Sequence, residues 1–188
     1  MLSKELKEAT KLNHQLLEKQ LIAIIKSIHH KQDYAKLLVA FYGFMAGLEI
    51  DIATHIDLSV LPDYAQRRKS VALANDLHLL GVALPPLPDA NALPPINDHY
   101  HAMGALYVME GSTLGGKIIC KMIQQQLKLT DVSELTFFYG YGEETDSMWQ
   151  RFTATINNAQ NENKEYSIIQ SANKTFILLK QWFTDSGF

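Results

Sequence analysis

The segment "YVMEGSTLGG", residues 107–116, places three glycines within six positions of a predicted long helix. Each glycine inside a helix costs about 0.5–1 kcal/mol relative to alanine. A helix that passes very close to a flat ligand needs positions without side chains, and glycines also let a helix bend. Gly111, Gly115 and Gly116 therefore indicate either a ligand lying against this helix or close packing between helices. Composition alone does not choose between them.

His14 is the histidine whose surroundings are most typical of a binding site. Lys11 precedes it by three residues and Lys7 by seven, so that all three share roughly one face of a predicted first helix. A neutral imidazole on a bundle helix can hold a haem iron from one side, and lysines can pair with the propionate carboxylates. From spacing alone, a half-buried histidine beside two solvated lysines is the more common arrangement.

Most familiar catalytic patterns are absent from the sequence. It contains no HExxH, P-loop, GxSxG or GxGxxG pattern. No glutamate is followed by histidine three residues later, which argues against a di-iron bundle. Asp98 and His101 have that spacing, but they form a single pair at a predicted helix start. We interpret it, together with the "HYH" at 99–101, as a surface feature rather than a metal site.

Length, charge and cysteine content limit the classes of protein to which the chain can belong. The 188 residues are 47% hydrophobic, which predicts a single domain over residues 1–188. A formal charge of −3 gives no reason to expect nucleic acid as a partner. The single cysteine, Cys120, fits a reducing compartment, and the polar start of the chain does not resemble a signal peptide. The longest apolar stretch is interrupted by Glu49, so we expect a cytoplasmic protein without a membrane span.

Hydrophobic residues recur at helical intervals, and no stretch alternates with period two for long enough to predict a sheet. The fold class predicted is all-α, a compact helical bundle. The proline-rich "LPPLPDANALPP" is interpreted as a surface connection within one domain. The predicted helices are a first one capped by Ser3, one over 34–56 capped by Asp33, one from "LPDYAQRRK" to Gly81, one over 98–129, a short one capped by Thr145, and one over 166–183.

Four segments together resemble the haem oxygenases, specifically their bacterial biliverdin-producing branch. "LKEATKLNH" is similar to the family's proximal helix, whose final histidine matches His14. "YVMEGSTLGG" resembles the glycine-rich distal segment over the haem. "FFYGYGEETDSMWQRF" looks like the stretch after the distal helix, and "SANKTFILLKQWF" like the last helix, where Phe176 would line the pocket. The four segments occur in the family's order and cover nearly the whole chain.

The resemblance implies a single-domain bundle that holds haem b between a proximal helix and a kinked distal helix. It implies cleavage of haem, which is both cofactor and substrate, to biliverdin, carbon monoxide and ferrous iron, with dioxygen as a second substrate. His14 would be the proximal iron ligand, and the distal site would consist of Gly111, Ser112, Gly115 and Gly116. The remaining contacts implied for haem and its propionates are Lys7, Lys11, Tyr107, Arg151 and Phe176. Glu110 is expected to shape the distal helix rather than act as a base.

One position departs from part of the family, because mammalian-type members carry an aspartate where this chain has Ser112. Bacterial relatives often lack that aspartate, and a serine hydroxyl can still bond to an ordered water. The resemblance also implies an external electron donor, such as a ferredoxin, a flavodoxin or a reductase, and it allows a bilin-binding photoreceptor as recipient of the product.

Three other functions stay open at this point. A haem-binding protein for storage, delivery or sensing would use the same pocket without turnover. A thiaminase-like hydrolase on the same fold would need a catalytic cysteine, whereas Cys120 is more typical of buried packing. A di-iron oxygenase would need the Glu-x-x-His pairs that the sequence lacks.

Overall fold

The computed structural model describes residues 1–158 and 162–188, and over these ranges the chain forms α-helices and short 3₁₀ turns without a strand. The prediction of an all-α fold is therefore confirmed. The helices are α1 (Leu2–Lys26), α2 (Lys31–His55), α3 (Val71–Leu79), α4 (His99–Gly111), α5 (Gly116–Leu127), α6 (Thr136–Tyr139), α7 (Thr145–Asn157) and α8 (Glu162–Asp185).

Helix α4 lies at the centre of the bundle. All of its residues from Ala102 to Glu110 are buried, as expected for a helix that is apolar on every side. It packs mainly against α8, which also packs along α1, and it makes further contacts with α2 and α7. Any site built on α4 is consequently fixed by packing on several sides.

Helix α2 is long and apolar enough to cross a membrane by length and composition. However, 61% of its most apolar window is buried inside the fold, and the core helix of a globular protein passes the same test. Its buried residues include Leu38, Phe44 and Leu48, which belong to the hydrophobic core.

Three predicted helix caps are wrong in detail. Ser3 lies inside α1, where its backbone N–H donates to Asn157 Oδ1 at 2.9 Å. Asp33 is the third residue of α2 and accepts the backbone N–H groups of His29 and His30, so that it completes a capping box instead of standing at the cap position. The Thr145 hydroxyl donates to the Gly142 carbonyl rather than accepting a helix N–H.

The third helix begins later than predicted. The chain forms a 3₁₀ turn over Tyr64–Gln66 and is extended at Arg67, where ψ is 152°, before α3 starts at Val71. The reason is that the side chains of Arg67 and Arg68 bond to groups on α4. In a continuous helix these two side chains would point in other directions and could not reach α4. The predicted end at Gly81 is confirmed, with a φ of 70° that favours glycine.

The predicted helix over 98–129 is interrupted at the glycine cluster. α4 ends at Gly111, a 3₁₀ turn covers Ser112–Gly115, and α5 starts at Gly116. The change from an α-helix to a 3₁₀ helix weakens the hydrogen bonds that the carbonyl groups in the last turn of α4 accept. The hydroxyls of Ser112 and Thr113 compensate by donating to the carbonyls of Met109 and Glu110, at 2.7 and 2.6 Å.

Asp76 connects α3 to the start of α6, and its removal should destabilise the fold. It is fully buried and accepts the backbone N–H groups of Thr136 and Phe137 at 3.0 and 2.9 Å, as well as the Thr136 hydroxyl. We expect Asp76→Ala to lower the free energy of unfolding by about 2–4 kcal/mol, because buried donors lose a charged acceptor. Urea denaturation followed by circular dichroism measures this loss. Asp89→Ala, which removes an exposed cap, is the matched control, and an equal loss in both variants would contradict the account.

Candidate functional site

The His14 ring is exposed on α1 and lies against an aromatic ring of α8. The centroids of His14 and Phe176 are 5.5 Å apart, with the ring planes tilted by 50°. One residue earlier, Asn13 Nδ2 donates to Asn173 Oδ1 at 2.6 Å, which ties the two helices together at this level. Within the described part of the chain, no hydrogen bond engages the His14 ring. The imidazole is therefore held in place by packing while its nitrogens stay available to a ligand.

Two buried side chains, Thr10 of α1 and Tyr107 of α4, lie near each other one turn before His14. The Thr10 hydroxyl donates to the Leu6 carbonyl at 2.7 Å. Burial raises the pKa of Tyr107, and the Thr10 side chain opposes that rise. The Tyr107 ring lies 5.5 Å from the Trp149 ring of α7. Tyr107 thus lies in the core, where its ring packs against α7.

The 3₁₀ turn at Ser112–Gly115, with the flanking Gly111 and Gly116, is called the distal break below, after the helix segment that it resembles, and its three glycines have different surroundings. A Cβ on Gly116 would collide with the carbonyl oxygen of Phe138, so that this glycine allows close backbone packing. A Cβ on Gly111 would make ordinary contact with Trp149, at 3.6 Å. A Cβ on Gly115 would meet no atom within 4 Å. Helix packing accounts for Gly116, whereas Gly115 faces open space in which a ligand can approach the backbone.

A buried ion network fixes the end of α4 just before the break. Arg67 Nη1 lies 2.7 Å from Glu110 Oε2, and these side chains are only 1% and 2% exposed. Arg67 also forms an ion pair with Asp63 at 2.9 Å, and the Tyr141 hydroxyl donates to both Glu110 oxygens at 2.9 and 3.0 Å. Burial, followed by the Glu110 charge, raises the pKa of Tyr141, so its hydroxyl stays protonated as a donor. These contacts agree with the prediction that Glu110 shapes the distal helix.

Arg68 contacts the break itself. Its Nη2 donates to the Met109 carbonyl at 2.7 Å and to Ser112 Oγ at 2.6 Å, and its Nη1 lies 3.4 Å from the Phe137 carbonyl. The guanidinium also stacks 4.2 Å from the centroid of the Phe137 ring. Since the Ser112 hydroxyl gives its proton to Met109 and accepts from Arg68, one oxygen lone pair is left for a further donor.

The cations predicted for the propionates are all exposed. Lys11 has only a loose contact with Glu8, at 3.9 Å, while Lys7 and Arg151 form no ion pair with the described residues. Lys7 and Lys11 share α1 with His14, and Arg151 lies on α7 two residues after Trp149. Their part in ligand binding stays a prediction.

Sequence reasoning missed Arg67, Arg68 and Tyr141. The only signal was the adjacent pair of arginines in "LPDYAQRRK", and nothing in its spacing pointed to α4, which lies more than forty residues away. Tyr141 lies in a segment that resembles the corresponding segment of a known family, but the resemblance implied no role for this residue.

Cys120 is packed in the core of the bundle. Its Sγ lies 3.8 Å from the Leu135 carbonyl, and burial raises the pKa of the thiol to about 11. A thiol of this kind stays protonated at neutral pH and is a poor nucleophile. This environment supports the prediction of a packing role.

Two surface depressions lie away from the predicted site residues. One, of about 200 Å³, is lined by Lys31, Lys128 and Glu134 among others, and the other, of about 310 Å³, by Tyr42, Glu49 and Leu87 among others. Neither includes His14 or the distal break.

Comparison with known proteins identifies the family. A family model described as "Heme oxygenase" matches residues 1–185. A heme oxygenase from Xanthomonas campestris pv. campestris (strain 8004) is 29% identical over 123 residues, which are 65% of this chain and 71% of that protein.

Solved structures agree in fold. A heme oxygenase from Neisseria meningitidis superposes with a TM-score of 0.84 and 21% identity over 99% of this chain and 92% of that one. The enzyme from Leptospira interrogans gives 0.79 and 20% over 98% of both chains. Heme oxygenase-1 from the cyanobacterium Synechocystis, solved in complex with heme, gives 0.75 and 19% over 98% and 91%.

The contrast between two neighbouring glycines can be measured without any ligand. We expect Gly116→Ala to lower the free energy of unfolding by about 1–3 kcal/mol, because the new methyl group meets the Phe138 carbonyl. Gly115→Ala should leave stability unchanged or raise it by up to about 1 kcal/mol, since its φ of −83° suits alanine and the space is open. Urea unfolding of the two variants side by side provides the comparison. Equal losses would show that both glycines serve packing.

Proposed function

Because this chain belongs to the haem oxygenase family, we propose that it binds haem b between His14 and the break at Ser112–Gly115, and that it cleaves haem to biliverdin. Bound haem supplies the iron that activates dioxygen and the ring that is opened, yielding carbon monoxide and ferrous iron as the other products. The protein's own residues bind, orient and shield this substrate.

The observation that carries the proposal is the state of the His14 ring. It is exposed, positioned by the Phe176 ring and free of hydrogen bonds to the described residues. A neutral imidazole in such a place is suited to bind iron through one nitrogen. Contact with Phe176 favours one orientation of the His14 ring, which would suit a residue that binds iron.

The distal break provides the opposite wall. α1 packs against α5, which begins at Gly116, so that His14 and the break belong to neighbouring elements. Gly115 leaves open space where a side chain would otherwise project, and the exposed Leu114 and Ile118 offer apolar surface on the same segment. Such a wall suits a flat, largely apolar ring that approaches the backbone closely.

Ser112 is proposed to hold a water in the distal site. Its proton is committed to the Met109 carbonyl and Arg68 donates to its oxygen, so that it can only accept a further hydrogen bond. A water that donates to Ser112 keeps its own lone pairs and second proton for the ligand side. Ser112 therefore positions a proton carrier without being the acid itself.

Lys7, Lys11 and Arg151 are proposed as propionate contacts, because they are exposed cations on α1 and α7 that no strong ion pair to another described residue restrains. Charge-assisted bonds to carboxylates are the contacts that such side chains form best. Tyr107 is proposed to join them through its hydroxyl, although most of its side chain is buried. The electrons are proposed to come from a ferredoxin, a flavodoxin or a reductase.

An absorption time course with His14→Ala tests this function. The wild-type protein mixed with one equivalent of hemin should show a Soret band that decays after addition of a reductant in air, while a broad red biliverdin band grows. His14→Ala should lose the imidazole-ligated spectrum and at least about tenfold of the rate, because the proposed iron ligand is removed. His78→Ala, at an exposed position of α3, is the control and should behave as wild type.

Three results would count against the proposal. An unchanged spectrum and rate in His14→Ala would place the ligand elsewhere. A wild-type Soret band that persists under reductant and air would favour haem storage, delivery or sensing. The absence of any Soret shift would remove haem as the substrate.

A further inference from the structure

Four charged side chains meet behind the distal break, and their charges are segregated. Arg67 binds both carboxylates, Asp63 at 2.9 Å and Glu110 at 2.7 Å. Among the described residues, no carboxylate lies within ion-pair distance of Arg68. The formal charges of the four side chains sum to zero. Both negative charges lie next to Arg67, so that the Arg68 side of the cluster is positive.

The backbone explains why the two arginines face different partners. Arg67 is extended, and successive side chains of an extended chain leave on opposite sides. Arg67 turns to the side of Asp63 and Glu110, whereas Arg68 turns to Met109 and Ser112.

Among the residues that the structure describes, every contact of the Arg68 guanidinium is with a neutral group. Two carbonyl oxygens, the Ser112 hydroxyl and the Phe137 ring surround it. A guanidinium stays protonated in such a place and keeps its charge. The charge therefore acts on whatever approaches Ser112, and in a partly buried site it is weakly screened.

We propose that Arg68 is a positioning residue whose charge, delivered next to Ser112, makes the distal side of the site prefer small anions to neutral ligands. This inference rests on the proposed function, because it takes the ligand position to be the haem face beside Ser112. A reaction that adds electrons on that face builds up negative charge there. A cation that is already fixed in place stabilises such charge without reorganisation.

The test compares an anionic and a neutral ligand of the ferric haem complex, azide and imidazole, by absorption titration. In Arg68→Gln we expect azide to bind about tenfold more weakly and imidazole to bind within about threefold of wild type. Arg68→Lys keeps the charge, so that azide affinity should stay within about threefold of wild type. Lys36→Gln, which removes an exposed charge on α2, controls for net charge and should change neither affinity.

A second variant tests the same claim with the opposite sign. Asp63→Asn leaves Arg67 paired with Glu110 and gives the cluster a net positive charge. Azide should then bind about threefold more tightly, with imidazole affinity unchanged. This variant decides the question if Arg68→Gln does not fold.

The outcomes distinguish a failure of the role proposed for Arg68 from a failure of the proposed function. Equal losses of azide and imidazole affinity in Arg68→Gln would mean that Arg68 only supports the shape of the break, and would overturn the inference. An unchanged azide affinity in both Arg68→Gln and Asp63→Asn would overturn it as well. In either case a wild-type complex that still degrades haem leaves the proposed function standing, whereas a wild-type protein that forms no haem complex overturns both.

Discussion

The ion pair between Arg67 and Glu110 is the contact on which the candidate site depends. Both side chains are almost fully buried, so each charge has lost its hydration and needs the other. Removing one partner of such a pair typically costs about 3–5 kcal/mol, because the remaining charge stays buried. The pair fixes the last turn of α4. It also keeps the 3₁₀ turn at Tyr64–Gln66 from continuing directly into α3 as one helix. That interruption is what sends Arg68 towards Ser112.

Helix α4 transmits this constraint to the other wall of the site. Helix α4 packs along α8, which carries Phe176, and the Phe176 ring lies against the His14 ring. The His14 ring, which is proposed as the iron ligand, is therefore positioned through α8 by the same central helix whose end carries the break. A shift of α4 would move both walls together, so that their separation is preserved better than it would be by two independent loops.

Local periodicity was enough to predict the helical class, and a few motifs indicated His14 as a candidate ligand, which stays a prediction. The glycines indicated a bend in one continuous helix over 98–129, whereas the structure interrupts that helix with a 3₁₀ turn at Ser112–Gly115. Contacts between distant segments could not be read in the same way. The pairing of Arg67 with Glu110 joins residues 43 positions apart, and the different surroundings of Gly115 and Gly116 depend on where Phe138 lies. The cap at Asp33 was misplaced because its carboxylate bonds backwards to His29 and His30, which leaves the residue type right and the boundary wrong.

The central claim is that haem lies between the His14 ring and the backbone at Gly115. A crystal structure of the chain with bound haem tests this most directly. The account predicts a bond from a His14 ring nitrogen to iron, with the Gly115 backbone against the opposite face of the ring and Arg68 still bonded to Ser112. Haem held by another residue, such as His99 or His101, with the break facing solvent, would contradict it.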